Sequence, residues 1–169
     1  MKTVDFHCHT KATKKHESEL RTVTPELFAE MLDRAGVEIA AITNHNAFDL
    51  PQFQNLVSVT HDFAQIWPGV ELDVQREGEH WHMLVICDPD KVEEFDSTLS
   101  SIVGDLKADE VLLDFETVWN AFCPLMRYLF RMFTKSRQYP KSRFKRYFLL
   151  LAINAGDSFL SQQTCYQWE

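Results

Sequence analysis

Long apolar runs are missing from this chain. None reaches the roughly 18 consecutive residues that a bilayer-spanning helix needs, so no such helix is expected. The opening Met1-Lys2-Thr3-Val4-Asp5 lacks the apolar core of a secretory leader. Cysteine is sparse: Cys8, Cys87, Cys123 and Cys165 stand far apart with no CxxC spacing. They read as reduced thiols rather than a disulfide framework, which places the expected location in the cytoplasm. Repeats and low-complexity segments are absent. No serine or cysteine stands out as a covalent nucleophile with a base beside it, and no histidine follows His82.

What is present suits one domain. The 169 residues, 45% hydrophobic and 12% aromatic, are enough for a sizeable core. Charge is distributed unevenly. Residues 1–122 hold 9 Lys+Arg against 23 Asp+Glu, a net of −14, whereas residues 123–169 hold 8 against 2, a net of +6. Such a swing marks two regions with different histories or partners.

The first region alternates strand and helix. Thr3–His7 reads as a strand. Thr24 is an N-cap, Pro25 a first helical residue and Gly36 a stop. Between them Leu27, Phe28, Met31, Leu32 and Ala35 make an apolar stripe. Val37–Thr43 is a continuous apolar run, as in a buried parallel strand. A helix over Leu50–Phe63, strands at Ile66–Val70 and Glu79–Cys87, and helices near Lys91–Val103 and Leu113–Phe122 complete the pattern. This alternation predicts an α/β fold with a parallel sheet.

Histidines recur where these strands end: His7 and His9, then His45, then His80 and His82, with Glu71 closing Trp67-Pro68-Gly69-Val70-Glu71. Neutral imidazole is the commonest metal ligand and a carboxylate its usual oxygen partner. The two histidines of an HxH pair share one face of a strand because side chains alternate. Strands ending in such residues would gather them at one rim of the sheet, where metal and catalytic groups of α/β folds sit. The competing reading for each residue is an ordinary solvated side chain.

Four blocks, Asp5-Phe6-His7-Cys8-His9-Thr10, Thr43-Asn44-His45-Asn46, Pro68-Gly69-Val70-Glu71 and His82-Met83-Leu84, resemble successive motifs of the PHP (polymerase and histidinol phosphatase) domain in identity, order and spacing. The resemblance covers roughly residues 1–120, about the first half of such a domain. It implies an incomplete PHP-type distorted (β/α)7 barrel with parallel strands, followed by an atypical C-terminal tail. It also implies two or three divalent metal ions, Zn, Mn or Fe, held by His7, His9, His16, His45, Glu71 and His82. Glu71 would bridge two metals, and Glu71 and His45 would carry the chemistry. The implied activity is hydrolysis of a phosphate monoester or phosphodiester by metal-activated hydroxide. His16 enters because a further histidine or acid often follows the HxH pair. His80 has no counterpart and reads as solvated or supporting. Lys14 and Lys15 offer positive charge to a substrate phosphate, or are simply solvated.

Two departures from the pattern bear on activity. Asn44 stands where the family has an acid, which predicts a weaker site. The family's later His-Pro and Asp-x-His motifs have no counterpart, so the site is expected to be impaired.

The resemblance and the charge swing imply a division at about residue 122, into a region resembling the front of a PHP domain (1–122) and a basic-aromatic tail (123–169). The tail's abrupt change of composition suggests a reading-frame shift, and residues 124–133 could form a helical patch. Three functions stay open. The first is a metal-dependent phosphoesterase acting on a phosphorylated small molecule or nucleic acid. The second is a non-catalytic remnant or front module of a larger nucleic-acid-processing protein or ATPase. The third is nucleic-acid binding through the basic tail.

Overall fold

The computed structural model describes residues 2–132, 147–152 and 164–167, with side chains described as far as residue 125. The chain runs β1 (Val4–Cys8), α1 (Pro25–Ala35), β2 (Ile39–Ile42), α2 (Leu50–Thr60), β3 (Gln65–Arg76), β4 (Glu79–Cys87), α3 (Val92–Val103), β5 (Leu113–Asp114) and α4 (Phe115–Phe122). The strands β6 (Met126–Met132), β7 (Tyr147–Ala152) and β8 (Thr164–Gln167) follow. The fold is α/β. Strands β1, β2 and β3 lie parallel, linked by α1 and α2.

The helix signals act as the sequence predicts. Thr24 Oγ1 accepts from the Leu27 amide 3.3 Å away, Pro25 opens α1, and Gly36 closes it at φ 63°, a left-handed conformation that glycine adopts without a Cβ clash. The apolar stripe is narrower than expected. Phe28, Ala29 and Leu32 are buried, while Leu27 and Met31 are 47% and 53% exposed. Ala35 is exposed as well. Among the described residues the outer edge of the stripe is left open to solvent.

The sheet departs from an all-parallel arrangement after β3. Strand β3 is twelve residues long and turns at Glu77-Gly78 into β4, which pairs with it antiparallel from Gly69↔Ile86 to Arg76↔Glu79. Glu71 and His82 therefore stand within a hairpin rather than at strand ends. A two-residue connection can join only antiparallel strands, whereas a parallel crossover needs a dozen residues or more. Strand β5 pairs parallel with β3 at Val74↔Leu113. Strands β6, β7 and β8 extend the sheet antiparallel beyond β4. The expected helical patch at 124–133 is thus the strand Met126–Met132, whose backbone pairs with the outer edge of β4.

Three apolar clusters hold these elements. Cys8, Phe28, Leu32, Ile42, Phe53, Leu56 and Ile66 seal α1 and α2 onto the outer face of β1–β3. Val70, Leu72, Val74, Met83, Val85, Phe95, Leu99, Val118 and Phe122 seal α3 and α4 onto the hairpin. On the opposite face Ala41, Trp67, Leu84 and Ile86 form a smaller layer, with Phe6 against it. Gly69 permits the close approach of strands there. A Cβ at that position would lie 2.9 Å from the Val85 carbonyl oxygen and 3.1 Å from that of Ile42. Among the described residues no helix is long and apolar enough to cross a membrane.

Candidate metal centre

The site stands on the face of the Trp67–Leu84 layer, just beyond it. Strand alternation carries Trp67, Gly69, Glu71 and Asp73 to one side of β3, and His82, Leu84 and Ile86 to the same side of β4. Strand β1 reaches that side through an irregularity in its pairing between Asp5 and Cys8. Phe6 packs on Trp67 with ring centroids 5.9 Å apart, yet Cys8 faces the helices. Strict alternation would put these two on the same face. The bulge inserts the offset, so Phe6, His7 and His9 all meet the Glu71 side. His45 follows β2 and forms a bridge with Glu71 that brings the two backbones level. Amide–carbonyl bonds from Glu71 to Asn44 (3.1 Å) and from Asn46 to Glu71 (2.8 Å) fix that junction.

Glu71 is the centre of the group and only 2% exposed. Its Oε2 lies 2.9 Å from His7 Nε2, 3.2 Å from His9 Nε2 and 3.0 Å from His45 Nε2. Its Oε1 lies 2.7 Å from His82 Nδ1, which finds no partner in hydrogen-bond geometry. The structure thus brings together His7, His9, His45, Glu71 and His82. They form two overlapping groups, His7–His9–Glu71 and His45–Glu71–His82, each with its donor atoms within 4.8 Å of one another.

His16 is not brought to this group. Its ring is 77% exposed and lies 4.0 Å from Asp109. The neighbouring Glu17 points inward instead. One Glu17 oxygen accepts from the amides of Thr13 (2.7 Å) and Lys14 (3.1 Å). The other takes Arg21 at 2.9 Å and the Nδ1–H of His45. The sequence signal for Glu17 was an acid shortly after the HxH pair, overshadowed by the histidine beside it. His80 is exposed.

Asp73 is a second acid that sequence reasoning did not single out. Its place two residues after Glu71 on the same strand was the available signal. It receives Asn46 Nδ2 at 2.8 Å and the ammonium of Lys14, and lies 3.4 Å from His82 Nδ1. Asn46 holds a left-handed backbone at φ 52° and uses every polar side-chain atom. Its Oδ1 accepts from the Asp73 amide at 2.8 Å, and its Nδ2 also reaches the Ala108 carbonyl at 2.8 Å. The Asn44 side chain hydrogen-bonds to Thr10 and Lys11. Its Oδ1 accepts from the amides of Thr10 (2.8 Å) and Lys11 (3.0 Å), tying down the loop that carries Glu17.

These contacts set the protonation of the group. Burial alone would lower His45, but Glu71 at one nitrogen and Glu17 at the other hold it above the ordinary imidazole value. His9 falls below that value, because burial together with His7 and His45 outweighs Glu71. Burial works to raise Glu17, yet the Lys14 and Thr13 amides and the His45 ring bring it down to about 2. Glu71 is likewise held far below the carboxylate range by its four histidines.

The donor set fits a divalent metal. One carboxylate oxygen cannot accept three well-directed imidazole bonds, and His7 Nε2 and His9 Nε2 face each other at 3.0 Å. Lone pairs converging in this way suit a cation among them. Ligand atoms on a tetrahedral ion bonded at about 2.1 Å are ~3.4 Å apart, close to the separations here. A small outward shift of each ring accommodates it. Glu17 on His45 Nδ1 fixes the tautomer that leaves Nε2 free as a ligand.

No protein-family model matches this chain, and no curated protein matches it in sequence. Solved structures that share part of its course include the following two. One is a protein from Bifidobacterium adolescentis provisionally described as a metal-dependent phosphoesterase, with 20% identity over 60% of this chain and a TM-score of 0.42. The other is an amidohydrolase from Chromobacterium violaceum with bound sulfate and no metal, at 18% identity over 59% and a TM-score of 0.41. The chain spans about a third of the length of each, 33% and 32%.

Proposed function

We propose that this chain is the front part of a PHP-type metal-dependent phosphoesterase that hydrolyses a phosphate monoester or phosphodiester. The observation that carries the reading is the sharing of one buried carboxylate, Glu71, by two groups of histidines. In this reading His7, His9 and Glu71 would hold one divalent ion, and His45, Glu71 and His82 would hold a second. Zn, Mn and Fe suit such nitrogen–carboxylate donors. A divalent ion supplies Lewis acidity and activates water at neutral pH.

The chain's own residues prepare for that chemistry. Glu71 balances cationic charge from a position closed to solvent. Glu17 orients His45, and Asp73 lies between His82 and Lys14. The order and spacing of the four sequence blocks support a phosphoester as the substrate, and the parallel β1–β3 unit suits the start of a distorted barrel.

The test is metal content after loading with Zn, Mn or Fe, alongside hydrolysis of p-nitrophenyl phosphate and bis-p-nitrophenyl phosphate. Glu71→Gln should lose both metal and activity. A chain that holds metal through these residues yet cleaves neither ester, even slowly, would be a metal-retaining module and not an esterase.

A further inference from the structure

Among the described residues Glu71, Glu17 and Lys14 have charged side chains less than a tenth exposed, and Glu17 is matched by its loop amides, Arg21 and His45. Glu71 has its histidines. Lys14 has a side chain 7% exposed, lies in the loop that folds over the histidine group, and gives its ammonium to Asp73. That acid is shared, since its Oδ2 also receives Asn46 at 2.8 Å and its Oδ1 lies 3.4 Å from His82. An ammonium has three N–H donors. Two of those on Lys14 meet no acceptor among the described residues. Donors left unmatched in a buried place are costly, so the site suits an arriving group rich in acceptor oxygens.

The other cations of this loop are spoken for or turned outward. Lys11 pairs with Asp49 at 2.6 Å, Arg21 pairs with Glu17 at 2.9 Å, and Lys15 is exposed. The region as far as residue 122 is strongly acidic, with 23 Asp+Glu against 9 Lys+Arg. One inward cation in an acidic setting matches a single phosphoryl group. A polyanion would need a row of cations along its backbone.

We infer that Lys14 is a substrate-binding residue whose ammonium donates to a non-bridging oxygen of one phosphoryl group seated on the histidine–Glu71 centre, so that the ligand class is a small phosphate monoester. This rests on the phosphoesterase reading. Lys14 supplies hydrogen bonds and fixed positive charge, and transfers no proton. Its carboxylate partner keeps it aimed, much as a shared counter-ion holds a lysine against one rotamer.

The experiment is the binding of inorganic phosphate to the full chain loaded with Mn or Zn, followed by calorimetry or phosphorus NMR. It compares wild type with Lys14→Met, Lys14→Arg, Lys15→Met and the double variant Lys14→Met with Asp73→Asn. The double variant removes the buried ammonium together with its partly exposed carboxylate partner, so neither charge is left without the other. Loss of a charged hydrogen bond should weaken phosphate by about 10- to 100-fold in Lys14→Met and in the double variant. Metal affinity should stay within about 3-fold in Lys14→Met, Lys14→Arg should retain part of the phosphate binding, and Lys15→Met should change little. With p-nitrophenyl phosphate the loss should fall mainly on KM.

Unchanged phosphate affinity in the double variant would overturn the inference alone and leave Lys14 as a partner of Asp73. An equal loss in Lys15→Met would also overturn it, since a general field would then explain the effect. A wild-type chain that takes up metal but no phosphate would overturn the phosphoesterase reading along with it. Tighter binding of a short oligonucleotide than of phosphate would overturn the substrate class.

Discussion

Glu17 accepts the Nδ1–H of His45 on one side of the ring, while the Nε2 on the other side lies 3.0 Å from Glu71. One imidazole is thus held between two carboxylates from opposite ends of the site. Glu17 itself is held by the amides of its own loop, so the ring's orientation is set by a rigid turn.

Removing that orienting acid should weaken metal without removing a ligand. Glu17→Gln is expected to lower metal affinity about 10- to 100-fold, as is usual for a lost carboxylate behind a ligating histidine. Competition with a chromophoric chelator measures it. Unchanged affinity would show that His45 needs no such support.

Metal uptake should release protons. His45 binds its proton above the ordinary imidazole value in the metal-free chain, and a ligating imidazole must be neutral. Apparent affinity should therefore rise with pH through and above about 6.5, the ordinary histidine value. Calorimetry in two buffers of different ionisation enthalpy counts the protons. A buffer-independent heat near neutral pH would contradict a protonated His45.

Acid should destabilise the metal-free chain through Glu17. Its folded pKa of about 2 lies below the ordinary carboxyl value of 4.5, so the unfolded chain takes up the proton first. The stabilisation is complete above about 4.5 and is lost as pH falls toward 2. Urea midpoints across that window should fall less steeply in Glu17→Gln than in wild type.

A methyl group at position 69 should be poorly tolerated. The Cβ of Gly69→Ala would meet two backbone carbonyl oxygens, of Val85 and Ile42, at 2.9 and 3.1 Å. Neither can rotate away. Strand displacement should cost about 1–3 kcal/mol, at roughly 2–4 °C of Tm for each kcal/mol in a chain of this size. The same displacement would move His45 away from Glu71, so metal affinity should fall with Tm.

Asn44→Ala should loosen the loop and not the strand beneath it. The Thr10 and Lys11 amides would lose their acceptor, at about 1–3 kcal/mol for buried groups left unpaired. Exchange of amides in residues 10–17 should accelerate while those of β2 stay protected. Uniform acceleration would place Asn44 in the core's support instead.

Much of the fold was legible because its signals are local. Thr24, Pro25 and Gly36 bound α1 through contacts within a few residues, and the Val37–Thr43 run could bury only in a sheet. The histidines could be read because strand alternation fixes which residues share a face. What the sequence did not show depends on longer range or on small offsets. The bulge in β1 breaks alternation between Phe6 and Cys8 with no glycine to announce it. The antiparallel turn at Glu77-Gly78 was hidden because the alternation predicted a parallel sheet and the strand Ile66–Val70 was expected to end at Glu71, whereas it runs on to Arg76 and turns straight into β4. His16 and Glu17 are adjacent, and which of them faces inward depends on how the loop closes over Asn44, 27 positions along from Glu17.

The histidine–Glu71 centre draws its donors from β1, the end of β2, β3 and β4, from position 7 to position 82. An ion there would act as a mechanical clasp across four strands. In the unfolded chain those donors are scattered, so little of its affinity survives there, and nearly all of it becomes resistance to unfolding. At a free concentration 100 times the Kd that resistance is about 2.7 kcal/mol. A chelator would then act as a denaturant of the sheet itself, withdrawing the one tie that reaches across all four strands at once.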